Sequence, residues 1–281
     1  TNMDYMFNHA TSFNQGISGW DVISVTTMNS MFNYATSFNQ PLNNWDVSND
    51  TSTTNMLLGS GIEYLYGYTP TIENRKFKVQ IEITDSNIKD LIDKWINDTL
   101  SGVYADLSNI SQWNVVQVTN MSYLFRDISN FNEDISGWNV SSVINMAFMF
   151  GGASSFNQPL NNWDVGSVTT MEYMFHHATS FNQDISGWNV SSVTTMNGMF
   201  DYATSFNQPL NNWNVSSVTN MEYMFNYATS FNQDISGWNV ISVTTMNSMF
   251  NYATSFNQPL NNWDVSNDTS TTNMLLGSGI E

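Results

Sequence analysis

Hydrophobic positions recur along the chain at an interval of 25 residues, and tryptophan marks that interval most clearly. The evenly spaced tryptophans are Trp113, Trp138, Trp163, Trp188, Trp213, Trp238 and Trp263, and Trp20 and Trp45 keep the same spacing earlier in the chain. A fixed period of this length is typical of a repeat solenoid, in which each unit covers the apolar face of its neighbour. The pattern therefore predicts stacked repeats that share a continuous core.

Two elements are predicted within each repeat. In the pattern IxxWxV, exemplified by Ile135, Trp138 and Val140, apolar residues alternate near the tryptophan, which predicts a short strand that pairs in parallel with its neighbours. The tryptophan and valine should point into the core. The residue before the tryptophan is Gly or Asn in most repeats, as at Gly187, which predicts a tight turn with positive φ.

The segment that follows has helical spacing. Its apolar residues fall at i, i+3, i+4 and i+7, as at Met28, Met31, Phe32 and Ala35. Thr169 with Glu172, and Thr219 with Glu222, have the spacing of a capping box at a helix start. Because the methionines keep a constant register, core packing is favoured over a soft-metal site. The predicted fold class is an α/β repeat solenoid, with short parallel strands on one face and short helices on the other.

The chain divides into three segments. Residues 1–63 form the end of a first repeat array, 64–106 a linker and a strand–helix cap, and 107–281 a second array of seven Trp-centred turns. Segments 1–63 and 219–281 differ only at four positions, Asp4/Glu222, His9/Tyr227, Gly16/Asp234 and Asp21/Asn239. A module of 218 residues, 64–281, has thus been duplicated, and we expect this chain to be a fragment of a longer tandem protein.

The predicted cap has an alternating segment followed by an amphipathic one. Residues 76–84 alternate apolar and polar side chains and predict a strand. A helix is predicted next, with Asp85 or Ser86 as its N-cap and the apolar residues Ile88, Leu91, Ile92, Trp95 and Ile96 on one face. Five of the six basic residues of the chain lie in 75–94, where a solvated cap face is favoured over a binding patch.

Charge narrows the choice of partners. The net charge is −18, and Arg126 is the one basic residue of 107–281. An acidic surface repels phosphate backbones and anionic lipid headgroups, so neither nucleic acid nor a membrane surface is an expected partner. No apolar run approaches the roughly 20 residues that span a bilayer, so direct membrane insertion is not expected. The chain has no cysteine, hence no thiolate metal site and no thiol nucleophile.

No residue is assigned a catalytic, cofactor-binding or metal-binding role. The histidines are His9, His176 and His177, and none repeats with a carboxylate or hydroxyl as a triad would, so the protein is predicted not to be an enzyme. His176 and His177 are expected to be exposed. Asparagine follows a phenylalanine at the same position of eight repeats, seven with the sequence FNQ and one with FNE, and predicts a structural ladder: Asn14, Asn39, Asn132, Asn157, Asn182, Asn207, Asn232 and Asn257.

Bound calcium is an alternative that the acidic positions leave open. Asp134, Asp184 and Asp234 recur at every second turn, a spacing too wide for one ion. The residue after the tryptophan gives a closer row of oxygens: Asp164, Asn189, Asn214, Asn239 and Asp264. Calcium would need further oxygen ligands from other directions, so no cofactor is expected.

The repeat FNQDISGWNVSSVTTMNGMF at 181–200 resembles that of BspA-like leucine-rich-repeat bacterial surface proteins, with IxxWxV in place of LxxLxL. The resemblance extends over all nine Trp-centred turns and over the cap at 77–112. It implies a leucine-rich-repeat-like fold and a secreted or surface-attached protein that serves in adhesion or as a stalk, with no catalytic residues to transfer.

Two functions from different classes follow. The first is a non-catalytic structural protein of the cell surface, an extracellular stalk or fibre of tandem modules in which neighbouring modules contact each other and could assemble into filaments. The alternative is an adhesin that recognises a host protein or glycan along one face. An outward aromatic or charged patch that differs from turn to turn would favour the adhesin.

Overall fold

The computed structural model describes residues 1–42, 45–47, 51–62, 71–73, 76–78, 82–98, 100, 107–266 and 269–280. The chain forms two compact units. One comprises Thr1–Ile83 with Asp93–Asn109, and the other comprises Thr84–Ile92 with Ile110–Glu281. The division into 1–63, 64–106 and 107–281 stays a prediction.

Regular secondary structure is confined to a short central part of the described chain. Strands β1 (Thr71–Glu73) and β2 (Lys76–Lys78) form an antiparallel hairpin in which Ile72 is opposite Phe77. Helix α1 spans Ile88–Ile96, and a single 3₁₀ turn spans Ile110–Gln112. Strand β2 and helix α1 lie within the segments predicted as strand and helix, whereas β1 was not predicted and residues 79–81 are outside the described chain.

The repeats are joined by backbone hydrogen bonds between equivalent positions. The amide of Phe175 donates to the carbonyl of Met199 at 2.9 Å, and Phe200 donates to Met224 at 2.9 Å. Parallel pairing is limited to isolated single-residue bridges, such as the one between Thr170 and Thr195. Each repeat therefore depends on the next to satisfy its buried amides.

The predicted α/β solenoid is wrong in its helices. From Met196 to Ala203, alternate amides bond the next repeat, as Gly198 does to Glu222 at 2.7 Å. The amides between them close four-residue turns, as Met199 does to Met196 at 3.1 Å. An α-helix needs every amide to bond four residues back, so this segment is a chain of turns. The backbone conformation of these turns repeats every four residues, so the apolar side chains have the same spacing as in a helix. This shared spacing explains the wrong helix prediction.

The predicted parallel strands are wrong as well. Where a strand was expected around Trp188, two tight turns occur: the amide of Trp188 donates to Ile185 at 3.1 Å, and that of Val193 donates to Val190 at 3.0 Å. Within 107–266 and 269–280 no residue is in a strand. The turn before the tryptophan is confirmed, but Gly187 does not have the expected positive φ. The apolar residues alternate there because their side chains are buried, and not because the backbone pairs as a strand.

The inward orientation of the repeated apolar residues is confirmed. Trp188 is 3 % exposed, while Met196, Met199, Phe200 and Phe206 are fully buried. Their rings form columns along the stack: the centroids of Trp188 and Trp213 are 6.4 Å apart at 4°, and those of Phe181 and Phe206 are 5.9 Å apart at 5°. Stacked rings from successive repeats therefore fill the core.

Seven of the buried tryptophans also hydrogen-bond the repeat before their own. The indole Nε1–H of Trp188 donates to the carbonyl oxygen of Leu160 at 3.0 Å, and Trp213 donates to Ile185 at 3.1 Å. The same bond, always to the residue 28 positions earlier, occurs at Trp45, Trp138, Trp163, Trp238 and Trp263. The indole thus satisfies a buried carbonyl while it fills the core.

The asparagine ladder is confirmed in both units. The side-chain Oδ1 of Asn182 accepts the backbone N–H of Asn207 at 2.9 Å, and Asn207 accepts from Asn232 in the same way. The amide Nε2 of Gln208 donates to the same Asn182 oxygen at 3.0 Å. One carboxamide per repeat thereby satisfies a backbone donor of the next repeat at the FNQ corner.

The helix cap differs from the prediction. Asp85 does not cap α1; its carboxylate accepts the backbone N–H and the hydroxyl of Thr119, with Oδ1 2.8 Å from the Thr119 nitrogen, and it also accepts the amide of Asn120 at 2.9 Å. In later repeats the carbonyl of the preceding repeat accepts the equivalent bonds, as Thr169 does from Thr194. Asp85 therefore replaces a missing repeat. Asn87 immediately precedes the helix.

Candidate binding surface

Left-handed backbone positions form two rows along the second unit, and several of their side chains are exposed. In each repeat two residues four apart have positive φ, as Tyr173 (51°) and His177 (54°) do. The first row contains Tyr123, Phe148, Tyr173, Gly198, Tyr223 and Ser248; the second contains Asp127, Gly152, His177, Tyr202, Tyr227 and Tyr252. We call these two rows the aromatic strip.

Hydrogen bonds to the next repeat fix the backbone of the strip. The amide of Tyr173 donates to the carbonyl of Asn197 at 2.8 Å, and that of Tyr202 donates to Asn226 at 2.8 Å. A left-handed conformation costs a residue with a Cβ roughly 1–2 kcal/mol. These bonds offset that cost, and they hold successive side chains one repeat apart.

The rings of the strip stack on one another but leave exposed area. In the second row, His177 and Tyr202 have centroids 4.4 Å apart, Tyr202 and Tyr227 4.5 Å, and Tyr227 and Tyr252 4.8 Å. Tyr252 remains 42 % exposed and Tyr223 40 %. Exposed tyrosine is enriched at recognition surfaces because it combines apolar area with a polar tip.

From Tyr173 onward, an aromatic residue of the first row alternates with a glycine or a serine. Phe148 stacks on Tyr173 at 4.7 Å, and the Tyr173 ring then occupies the space above Gly198, where an added Cβ would lie 2.1 Å from Tyr173 Cε1. Tyr223 comes next, between Gly198 and Ser248, and no described ring stacks on it. The faces of the Tyr223 ring are therefore not covered by other aromatic side chains of the described chain.

Carboxylates accompany the first row. Glu172 and Glu222 each precede a tyrosine of the row, and both are half-buried. Their predicted role as capping-box partners of Thr169 and Thr219 is not what the structure shows. The Oε1 of Glu222 instead accepts the hydroxyl of Thr245 at 2.9 Å, a residue of the next repeat.

A polar column separates the two rows. The buried carboxylate of Asp201 lies 2.9 Å from Nδ1 of His176 and accepts from Nδ2 of Asn226 at 2.7 Å. The expectation of exposed histidines is correct for His177 and wrong for His176, which is half-buried. Burial and the neighbouring His176 lower the pKa of His177, against an opposing effect of Asp201.

The acidic positions considered for calcium hold local turns. Asp134, Asp184 and Asp234 each accept the amide of the serine two residues later, at 2.9 Å in every case, and hydrogen bonds from that serine lower the pKa of these carboxyls. In the described part of the chain, no three His, Asp or Glu residues are grouped as a metal site would require. Calcium binding therefore gains no support.

The comparison with protein families adds one finding. The family model described as "Mycoplasma protein of unknown function, DUF285" matches residues 1–61, 96–200 and 182–279. The chain belongs to the DUF285 family. No curated protein matches it, and neither does any solved structure. The family assignment extends over both repeat arrays, while the absence of catalysis stays a prediction.

The tyrosine rows of this DUF285 chain were not predicted as a site, although the sequence carries a signal for them. The segment MEYMF at 171–175 and 221–225 alternates with MNGMF at 196–200 and MNSMF at 246–250. The Glu–Tyr pair occurs at every second repeat, and its glutamate was interpreted as part of a helix capping box. The outward position of the Glu–Tyr pair follows only from the turn conformation of the backbone. The apolar pattern of the sequence does not distinguish that conformation from a helix.

One further feature is an open apolar cleft of about 360 Å³ at the last repeat. It is lined by Leu260, Trp263, Val265, Thr271, Met274 and Leu275. Val265 is 44 % exposed, whereas Val47, the same residue of the earlier copy, is fully buried. No helix in the described chain has the length and apolar character needed to cross a membrane.

Proposed function

We propose that the protein is a non-catalytic structural repeat protein of the cell surface, in which modules arranged in tandem form a stiff extracellular stalk or fibre. The observation that carries the proposal is the continuity of its contacts. Trp188 bonds the repeat before it, and the Asn182 carboxamide bonds the repeat after it. Because equivalent contacts recur along the stack, a bending or stretching load is shared by every interface.

Two sequence features support the location and the tandem arrangement. The repeats resemble those of BspA-like bacterial surface proteins, which supports a position outside the cell. Segments 1–63 and 219–281 are near-identical, and a spacer can be copied unchanged, whereas a recognition surface is expected to diversify. Neighbouring modules would then be the first partners of this chain, and filament assembly would be an extension of the same contacts.

Electron microscopy tests the stalk. A chain carrying a second copy of 64–281 should give thin particles of the same width as 1–281 and longer by a constant increment. Compact particles with no such increment would contradict the proposal. Sedimentation at increasing concentration tests self-association separately, because filament assembly would raise the mean mass with concentration.

Antibody labelling tests the location. Antibodies against 107–281 should label intact cells of the source organism, and brief external protease treatment should remove the label. Labelling that requires lysis would place the protein inside the cell and would end the surface proposal. A cytoplasmic marker protein serves as the control for cell integrity.

A second function, recognition of a host protein or glycan, is favoured by the aromatic strip. Its first row changes from turn to turn, with Phe148, Tyr173, Gly198, Tyr223 and Ser248 in consecutive repeats; Tyr223 is exposed, whereas Gly198 and Ser248 are buried. This variation is what a recognition surface requires and a spacer does not. Binding of chain 1–281 to host cells or extracellular matrix, and its loss in Tyr223→Ala, would support this function; unchanged binding by that variant would exclude the strip.

A further inference from the structure

We propose that the aromatic strip binds a basic peptide segment, with arginine side chains seated against Tyr173 and Tyr223 and paired with Glu172 and Glu222. The inference rests on the recognition function proposed above and names the chemistry of its partner. The partner is a protein segment with a basic side chain at every third residue.

The strip already holds one guanidinium group of its own. The guanidinium carbon of Arg126 lies 5.4 Å from the ring centroid of Tyr123 and 5.0 Å from that of Phe148. Its Nε is 3.3 Å from the carboxylate of Asp127. A cation within about 6 Å of an aromatic centroid is attracted to the ring. The first two repeats of the strip therefore show how an arginine and a carboxylate fit this surface.

Later repeats keep a ring of the first row and have no cation, and their carboxylate comes directly before the tyrosine rather than four residues after it. Arg126 is the only Lys or Arg of 107–281, while Glu172–Tyr173 and Glu222–Tyr223 provide two further ring–carboxylate pairs. The Glu222 carboxylate is held in place because Oε1 accepts from Thr245 and from Nδ2 of Asn247 at 2.8 Å. The adjacent Tyr223 is 40 % exposed, and no aromatic ring of the described chain stacks on it. A guanidinium group suits this arrangement because it stacks on rings and pairs with carboxylates.

The electrostatic environment favours a cation at the same place. Burial raises the pKa of Tyr173, and the charges of Asp201 and Glu222 raise it further, against the opposite effect of a hydrogen bond with Asn197. The net charge of −18 would also attract a basic partner from solution.

Spacing restricts the form of the peptide. Glu172 and Glu222 are two repeats apart, which is roughly 10 Å if one repeat advances by the distance between neighbouring strands. A polyproline II helix brings every third side chain to the same face, about 9 Å apart. A peptide in that conformation with arginine at every third residue can therefore place successive arginines on successive Glu–Tyr pairs.

A peptide is favoured over a glycan because most ring faces are covered. Sugars pack on aromatic faces, but the second-row faces from His177 to Tyr252 are stacked on each other at 4.4–4.8 Å. Tyr223, on which no aromatic ring of the described chain stacks, has the carboxylate of Glu222 next to it in the sequence. Charge complementarity therefore selects a basic protein segment.

Fluorescence anisotropy with labelled (Arg-Pro-Pro)₄ tests the inference on the full chain 1–281. We expect saturable binding that weakens as salt increases. A peptide with the same composition but irregular arginine spacing should bind more weakly. Loss of one cation–aromatic contact, about 0.5–2 kcal/mol, corresponds to roughly 2- to 30-fold in Kd, which is the reduction expected for Tyr223→Ala.

Matched variants separate the site from general electrostatics. Glu222→Gln and Asp234→Asn each remove one negative charge, but only Glu222 directly precedes a tyrosine of the strip, whereas Asp234 lies in a serine turn. Glu222→Gln should weaken binding several-fold, and Asp234→Asn by less than about two-fold. Circular dichroism checks that each variant is folded.

Any of three outcomes would overturn the inference. Glu222→Gln and Asp234→Asn could weaken binding equally, the irregular peptide could bind as tightly as (Arg-Pro-Pro)₄, or (Arg-Pro-Pro)₄ could fail to bind at low salt. These outcomes are distinguishable from failure of the recognition function. If (Arg-Pro-Pro)₄ does not bind but attachment to host cells or to a glycan is lost in Tyr223→Ala, the strip recognises something else, and only the basic-peptide partner is wrong.

Discussion

Truncation of a single buried tryptophan should destabilise the whole second array. In Trp188→Ala the repeat loses a side chain that is 3 % exposed, and such core truncations cost about 3–5 kcal/mol. The loss also leaves the Leu160 carbonyl without its indole donor, a bond of 3.0 Å. A buried acceptor without a partner accounts for about 1–3 kcal/mol.

The two contributions can be separated by Trp188→Phe. Phenylalanine keeps most of the ring in the column beside Trp213 but cannot donate to Leu160, so this variant should lose about 1–3 kcal/mol. The matched control is Trp20→Ala, at the equivalent position of the first array. Its side chain is 38 % exposed and has one neighbour in the tryptophan column, Trp45, whose ring centroid is 6.3 Å away. This control should cost clearly less than Trp188→Ala.

Urea unfolding followed by far-UV circular dichroism measures these differences without relying on the indole fluorescence that the substitutions change. Midpoints and slopes are both needed, because repeat arrays can unfold in parts. The reasoning would be refuted if Trp188→Ala and Trp20→Ala shifted the unfolding midpoint equally. A Trp188→Phe variant as stable as wild type would show that the indole hydrogen bond contributes nothing.

Three further predictions concern the ladder, the cap and the strip. Asn182→Ala should cost about 1–3 kcal/mol and Asn182→Asp less, because aspartate keeps the oxygen that accepts from Asn207; equal losses in urea unfolding would contradict this. Burial raises the pKa of Asp85, but hydrogen bonds from Thr119 and Asn120 outweigh this effect and lower the pKa below 3.8. The ionised carboxylate therefore stabilises the fold above about that pH, and this stabilisation is lost as the pH falls further. Asp85→Asn should therefore flatten the acid limb of a stability–pH curve, and an unchanged limb would count against the assignment. Gly198→Ala should cost about 1–2 kcal/mol through its left-handed φ and its contact with the Tyr173 ring, and less in a Tyr173→Ala background, as a double-mutant cycle can measure.

Local chemistry was easier to predict than backbone conformation. The inward tryptophans and the asparagine ladder follow from residue type and period, since an amide repeated at one register can bond only its counterparts and the nearby backbone. The helices and strands were wrong because apolar spacing reports which side chains are buried and not how the amides are bonded. The role of Asp85 was missed for a similar reason, because Thr119 is 34 residues away in sequence.

The sequence by itself determined the 25-residue period, the identity of the core residues and the acidic character of the array. The tertiary structure alone decided where each amide bonds, which residues adopt left-handed backbone, and hence that Tyr223 lies exposed on the aromatic strip, directly after the half-buried Glu222. It also decided burial: the identical segments 22–63 and 240–281 contain Val47, fully buried, and Val265, 44 % exposed. The physical reason is that a repeat cannot cover its own apolar face, so its burial depends on what packs against it.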